Sequence, residues 1–204
     1  MNSKRGFTLV EILVVIIIIS IVLAMVTGGV VAALRTARSK DTESTIRTLE
    51  AACERYKTAF RGYPPTDLKS AFSKINQPNQ TNLGSEALVA CLSTEAGGGP
   101  FYSPPEETSA FCNTDIDRIT SVPTKPYYKT TDLLEYMDSW ENPIVYIHNR
   151  EYATPARLVL LGGNATWSVP VLGETKTFPN RFTFVIASAG PDGVMGTEDD
   201  LKNY

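Results

Sequence analysis

Glu11 is a carboxylate inside an apolar run, "FTLVEILVVIIIIS", residues 7 to 20. An acidic residue near the centre of a membrane-spanning helix costs roughly 2.5–3.5 kcal/mol on insertion scales. Such a residue needs a partner, and the natural one is an ammonium group. A second constellation closes the chain. "SAGPDGVMGTEDDLKNY", residues 188 to 204, offers Ser188, Asp192, Glu198, Asp199 and Asp200, with Gly190, Gly193 and Gly196 to let the backbone curl. Hard oxygen donors on a glycine-bearing loop suit Ca²⁺, which takes six to eight oxygens, main-chain carbonyls included. The order D-x-[DN]-x-[DN]-G with a closing glutamate is missing, so this is not an EF-hand. Carboxylates this close repel one another unless a cation or water lies between them. The loop is therefore expected to order around an ion; a solvated acidic tail is the plain alternative.

The partner for Glu11 follows from the residues before it. The leader MNSKRG is short and basic and ends in glycine. A cut after Gly6 makes Phe7 the N-terminus, with a positive amine at the membrane face. Glu11 lies four residues on, one helical turn away. It can pair with its own amine or, in a packed array, with that of a neighbour. An unpaired charge in lipid is penalised, so such a pair selects one axial register.

Several function classes drop out. The formal net charge is −3 and no Lys/Arg stripe exists to track phosphates, which argues against nucleic acid. His148 is the single histidine, and G-x-S-x-G and H-E-x-x-H are absent, so no catalytic constellation is present and an enzyme is not expected. Cys53, Cys91 and Cys112 form no C-x-x-C pair, and zinc lacks ligands. Either a Cys91–Cys112 disulfide with Cys53 free, or three buried thiols, fits the sequence.

The elements that position these residues begin with a long helix. Residues 12 to 34 carry no charge, and 23 positions suffice to cross a bilayer core of about 30 Å. A secretory signal peptide would be shorter and followed by a small-residue cleavage site. A plain anchor leaves Glu11 without a use. After Arg35, Ile46, Leu49, Cys53, Tyr56 and Phe60 recur at spacings of three and four, one apolar stripe facing a domain. Glu43–Arg47 and Glu54–Lys57 sit on the other face. Gly62, Pro64 and Pro65 end the helix. Short helices are expected over 66–74 and 85–92, with Thr66 and Ser85 as N-caps, and a flexible connector at 96–100. Strands are expected over 143–149, 157–161, 166–172 and 182–188, with a hairpin loop at 162–164. Consecutive short strands pair antiparallel. The fold class is α+β: a long N-terminal helix, transmembrane in its first half, packed on a small antiparallel sheet. The segments are 1–6 leader, 7–34 transmembrane half, 35–61 amphipathic half, and 62–204 globular domain with an acidic loop at 186–201.

Residues 4 to 26 closely resemble the prepilin N-terminus of the family that includes type IV pilins and the pseudopilins of type II secretion: a basic leader, G|FTLVE, then a hydrophobic helix. Many relatives carry a proline about twenty residues into the mature helix. Here Thr27-Gly28-Gly29 stands there, and each glycine weakens a helix by about 1 kcal/mol relative to alanine. "DSWENPIVY", residues 138 to 146, resembles the D-x-W-G-N-P-hydrophobic-x-Y stretch of major pseudopilins, with Glu141 for the glycine. "GYPPTD", residues 62 to 67, resembles their Tyr-Pro after the helix. Trp140 and Tyr146 are expected to fill the gap between helix and sheet.

The resemblance implies a pilin-like fold, cleavage between Gly6 and Phe7 by a prepilin peptidase, N-methylation of Phe7, and assembly guided by Glu11. The C-terminal loop is similar to the calcium loop of major pseudopilins. That implies Ca²⁺ held by Asp192 and Asp199 or Asp200, with Ser188 assisting. The function implied is a structural subunit of a type II secretion pseudopilus that drives protein export. Its partners would be copies of itself, minor pseudopilins, the inner-membrane assembly platform and the peptidase. Its place would be the bacterial inner membrane, single-pass, with the globular domain in the periplasm or in an extracellular filament. A type IV pilus-like surface filament subunit, for adhesion, motility or DNA uptake, and a monomeric membrane-tethered calcium-binding module are the alternatives.

Overall fold

The structure is a computed structural model. It describes residues 8–104, 110–173 and 176–204, with the side chains of 25–28 excepted. The leader, Gly6 and Phe7 lie outside the described residues. Two compact units divide the chain, Met1–Arg38 and Ser39–Tyr204, and the boundary falls inside the first helix.

Helix α1 is Leu9–Phe60 and runs through Gly28 and Gly29 without a break. An 18-residue window near its start reaches a mean hydropathy of 3.3 and buries none of its residues, so the helix is long and apolar enough to cross a membrane. In the second unit α1 becomes one-sided. Ile46, Leu49, Ala52 and Cys53 are buried. Tyr56 is partly buried against them, and Phe60 is half exposed with its ring near Tyr56 and Phe101.

The remaining helices are short. They are α2, Leu68–Ala71, α3, Leu83–Leu92, and α4, Lys125–Tyr128. Both expected N-caps shift. Asp67, not Thr66, caps α2, accepting from the Ser70 N–H. Asn82, in the left-handed region, precedes α3, and Ser85 lies within it. Thr66 is engaged elsewhere: its hydroxyl accepts the His148 N–H. All but the first residue of α3 are buried. Gly84 explains how α3 comes so close to the sheet, because a Cβ there would run into the Tyr146 carbonyl. The 96–100 stretch is a packed turn rather than a flexible connector: Gly97 is buried against the Cys91 backbone.

Seven strands are described: β1, Phe111–Cys112; β2, Glu135–Tyr136; β3, Val145–His148; β4, Ala156–Leu160; β5, Gly163–Trp167; β6, Phe184–Ser188; and β7, Leu201–Lys202. They form three small antiparallel sheets, β1-β2, β3-β6-β7 and β4-β5. The α+β, pilin-like arrangement expected from the sequence is the one observed. The hairpin differs in detail. Leu160 pairs with Gly163, so the turn is Leu161-Gly162, and β5 starts three residues early and stops at Trp167. Pro170 has no N–H to donate to a ladder, which keeps the strand from running to 172.

β6 is the central strand and every residue of it is buried. Side-chain alternation splits it between two cores. Phe184 and Ile186 join Tyr146, α1 and α3 in one cluster. Val185 and Ala187 join Val145, Ile147 and the β4-β5 hairpin in another. Tyr146 thus fills the helix–sheet gap as expected, and its hydroxyl reaches the Pro64 carbonyl. Trp140 does not belong to either cluster and is partly exposed.

The sequence left the cysteines open between a Cys91–Cys112 disulfide and three buried thiols. All three are free thiols, so Cys91 and Cys112 are not joined. Cys91 is buried beside Tyr56 and close to Cys53, whereas the Cys112 thiol faces the Glu135 carboxylate at 3.3 Å. Burial, followed by the Glu135 charge, pushes the Cys112 thiol well above its ordinary range.

Candidate functional site

The N-terminal site is built at the first turn of α1. The Glu11 carboxylate accepts two hydrogen bonds from Thr8, from its N–H at 2.8 Å and its hydroxyl at 2.9 Å. The Glu11 N–H returns a bond to the Thr8 hydroxyl at 3.2 Å. This is a capping box: the T-x-x-E spacing lets two otherwise unsatisfied N–H groups of the helix start be satisfied reciprocally. The pattern was present in the sequence as Thr8-Leu-Val-Glu11. The partner expected for Glu11 from its membrane cost is instead an ammonium group. The Phe7 amine that would supply it lies outside the described residues.

The C-terminal loop is built on a Gly190–Asp192 3-10 turn between β6 and β7. Gly190 must be glycine, since its φ is 63° and a Cβ would strike the Asp199 carbonyl. The expected ligands are each engaged. Ser188 is fully buried, donates to Asp138 Oδ2 at 2.6 Å and accepts the Gly190 N–H. Asp192 is exposed and accepts from the Val194 N–H. Asp199 accepts from the Asp192 N–H and the Thr197 hydroxyl. Asp200 Oδ2 accepts from the Gly196 N–H at 2.9 Å and meets the Lys202 ammonium at 2.9 Å. Its Oδ1 is buried without a partner. Donor chemistry therefore fits a hard cation at Asp199 and Asp200. It does not fit at Ser188, whose hydroxyl is turned to Asp138.

Asp138 belongs to the D-x-W stretch. Its Oδ1 accepts from the Trp140 and Asn142 N–H groups at 2.8 and 2.9 Å, while Oδ2 takes Ser188. This one buried carboxylate ties the 138–142 turn to the end of β6. Glu141, in that turn, has φ 69°, a conformation that favours glycine. The Asn142 side chain carries the connection on, accepting from the Leu161 N–H at 3.0 Å.

Residues 1–27 match the family model described as the prokaryotic N-terminal methylation motif. The chain carries a prepilin-type N-terminus. With the apolar α1 behind it, this motif marks a membrane-anchored protein. The chain is also similar to type II secretion system core protein G of Escherichia coli (strain K12), 25% identical over 203 residues, covering 100% of this chain and 92% of that protein. Core protein G of Pectobacterium carotovorum subsp. carotovorum is 32% identical over 98 residues, covering 47% of this chain and 63% of that protein. No solved structure matches the chain. The motif match and the two core protein G relatives both agree with the resemblance read from residues 4 to 26.

Proposed function

We propose that this chain is a structural subunit of a type II secretion pseudopilus. It is made with the 1–6 leader, cut between Gly6 and Phe7 by a prepilin peptidase, methylated on Phe7, and polymerised through α1 to drive protein export. The observation that carries this reading is a full-length similarity to core protein G on a chain that opens with the methylation motif. The exposed apolar residues of α1 support it, because a helix apolar all round needs lipid or other helices. Copies of the chain, minor pseudopilins and the inner-membrane platform are the partners, and the Ser39–Tyr204 unit faces the periplasm.

Glu11 guides assembly by pairing with a Phe7 amine. In the C-terminal loop Ca²⁺ would be held by Asp199 and Asp200 with loop carbonyls, and the unpartnered Asp200 Oδ1 supports that choice. The ion would supply the positive charge that keeps these carboxylates together; the residues themselves close the loop between β6 and β7.

Mass spectrometry of the protein from its native host tests the core of the proposal. The expected N-terminus is N-methylated Phe7, and an intact Met1 on the mature protein would overturn it. Glu11→Ala is expected to abolish incorporation into filaments while leaving membrane insertion intact.

A further inference from the structure

We propose that Glu86, Asp115 and Asp117 form a binding site for one hard divalent cation, Ca²⁺, which ties the start of α3 to the 113–118 loop. The site is separate from the C-terminal loop and does not depend on the pseudopilin reading.

Glu86 is in the first turn of α3 and 2% exposed; Asp117 is 8% exposed. With Asp115 they place one carboxylate oxygen each within 4.8 Å of one another. Oxygens bound to one Ca²⁺ at 2.3–2.6 Å can stand up to roughly 5 Å apart, so this spacing admits a single shared ion.

The hydrogen bonds divide each carboxylate into an anchored half and a free half. Asn79 donates through its amide nitrogen to Asp115 Oδ2 at 2.7 Å and to Asp117 Oδ2 at 3.0 Å. Gln77 donates to Glu86 Oε2 at 3.0 Å. The remaining oxygens, Glu86 Oε1, Asp115 Oδ1 and Asp117 Oδ1, are all buried without a hydrogen-bond partner. A buried polar atom without a partner costs about 1–3 kcal/mol, more when charged, and one shared cation would satisfy all three. Glu135 shows what this fold does with a buried carboxylate that needs no ion. It is fully buried, and Asn82 holds Oε1 while the Thr114 N–H, the Thr114 hydroxyl and Cys112 surround Oε2.

Among the described residues no ion pair reaches the cluster: those present involve Glu43, Glu54, Asp132 and Asp200. Burial first, and then the neighbouring carboxylates, pushes Glu86 and Asp117 above the ordinary carboxylate range, as expected for acids gathered without their counterion. Gln77 and Ser85 line a surface cleft of about 760 Å³ that also borders Asn82 and Arg157.

The test is the melting temperature of the full chain in detergent, with chelator and with millimolar Ca²⁺, for the wild type, Glu86→Gln and Asp200→Asn. The Glu86→Gln substitution would put an amide donor among the two aspartates and remove one like charge. In chelator Glu86→Gln is therefore expected to melt at or above the wild type. Asp200→Asn removes the C-terminal loop's contribution, so Glu86→Gln is also made in the Asp200→Asn background. At a hundredfold excess of Ca²⁺ over its dissociation constant Asp200→Asn is expected to gain roughly 5–10 °C, a gain the Glu86→Gln/Asp200→Asn double variant lacks. If the double variant keeps the Ca²⁺ gain of Asp200→Asn, or Asp200→Asn alone has none, the site assignment is wrong. A Glu86→Gln chain that melts lower with and without ion also overturns it, since Glu86 would then be a hydrogen-bonding residue only. Asp117→Asn provides a second reading of the same loss, with the same outcomes.

Discussion

Ser188 donates its hydroxyl to Asp138 across 2.6 Å, joining residues fifty positions apart, and both side chains are buried. One is the last residue of the central strand, the other the first residue of the D-x-W turn. The bond makes Ser188 part of the scaffold under the C-terminal loop.

Removing the carboxylate should cost more than removing the hydroxyl. Asp138→Ala leaves the Trp140 and Asn142 N–H groups and the Ser188 hydroxyl without their acceptor, an expected loss of about 3 kcal/mol or more. Ser188→Ala should cost about 1–2 kcal/mol. Denaturant unfolding of the two variants, followed by tryptophan fluorescence, measures the difference; equal losses would contradict this division of roles.

Gly84→Ala should be among the most damaging small changes in the chain. The added methyl meets backbone, the Tyr146 carbonyl, and not a side chain that can swing away. Overpacking of this kind costs about 1–3 kcal/mol, occasionally more. A drop in melting temperature is expected for Gly84→Ala, and none for Gly29→Ala, whose added methyl meets nothing within 4 Å.

Glu141→Gly should stabilise the protein. Glu141 is exposed, makes its turn at φ 69°, and holds no side-chain bond that the substitution would break among the described residues. Left-handed backbone costs a non-glycine residue about 1–3 kcal/mol, part of which glycine returns as greater freedom when unfolded. A gain of about 0.5–1 kcal/mol is expected, read from unfolding midpoints.

His148 sets a pH dependence. Burial, then the Arg150 charge, lowers its pKa below the usual 6.5, and its Nδ1 accepts the Arg150 N–H, which only the neutral ring can do. A lowered pKa means the unfolded chain binds the proton more readily. The stabilisation is therefore present above about pH 6.5 and is lost as pH falls through the folded value. His148→Asn keeps an acceptor without the titration. Its stability relative to the wild type should rise as pH is taken from 7.5 to 5, and a constant difference would show that the ring does not titrate on unfolding.

Much of the fold was legible because its signals are local. The Ile46, Leu49, Cys53 stripe follows from spacings of three and four, and β3 and β6 from short apolar runs bounded by turn residues. The N-caps were missed where two candidates stood within a few residues, as with Thr66 and Asp67, and only tertiary demand decided: the sheet claims Thr66. Glu11 was legible as a special residue, but its Thr8 partner was overlooked. Glu86, Asp115 and Asp117 could not be read as a group. Glu86 is nearly thirty residues from the two aspartates, and nothing in their local sequence says that α3 and the 113–118 loop meet.

The Thr8–Glu11 capping box divides one carboxylate between two tasks. Both Thr8 donors, 2.8–2.9 Å away, fall on Oε2. Under the proposed assembly a partner amine would meet Oε1, so the helix start would keep its cap while the subunit docks, and fold and polymer would draw on the same side chain without competing for it.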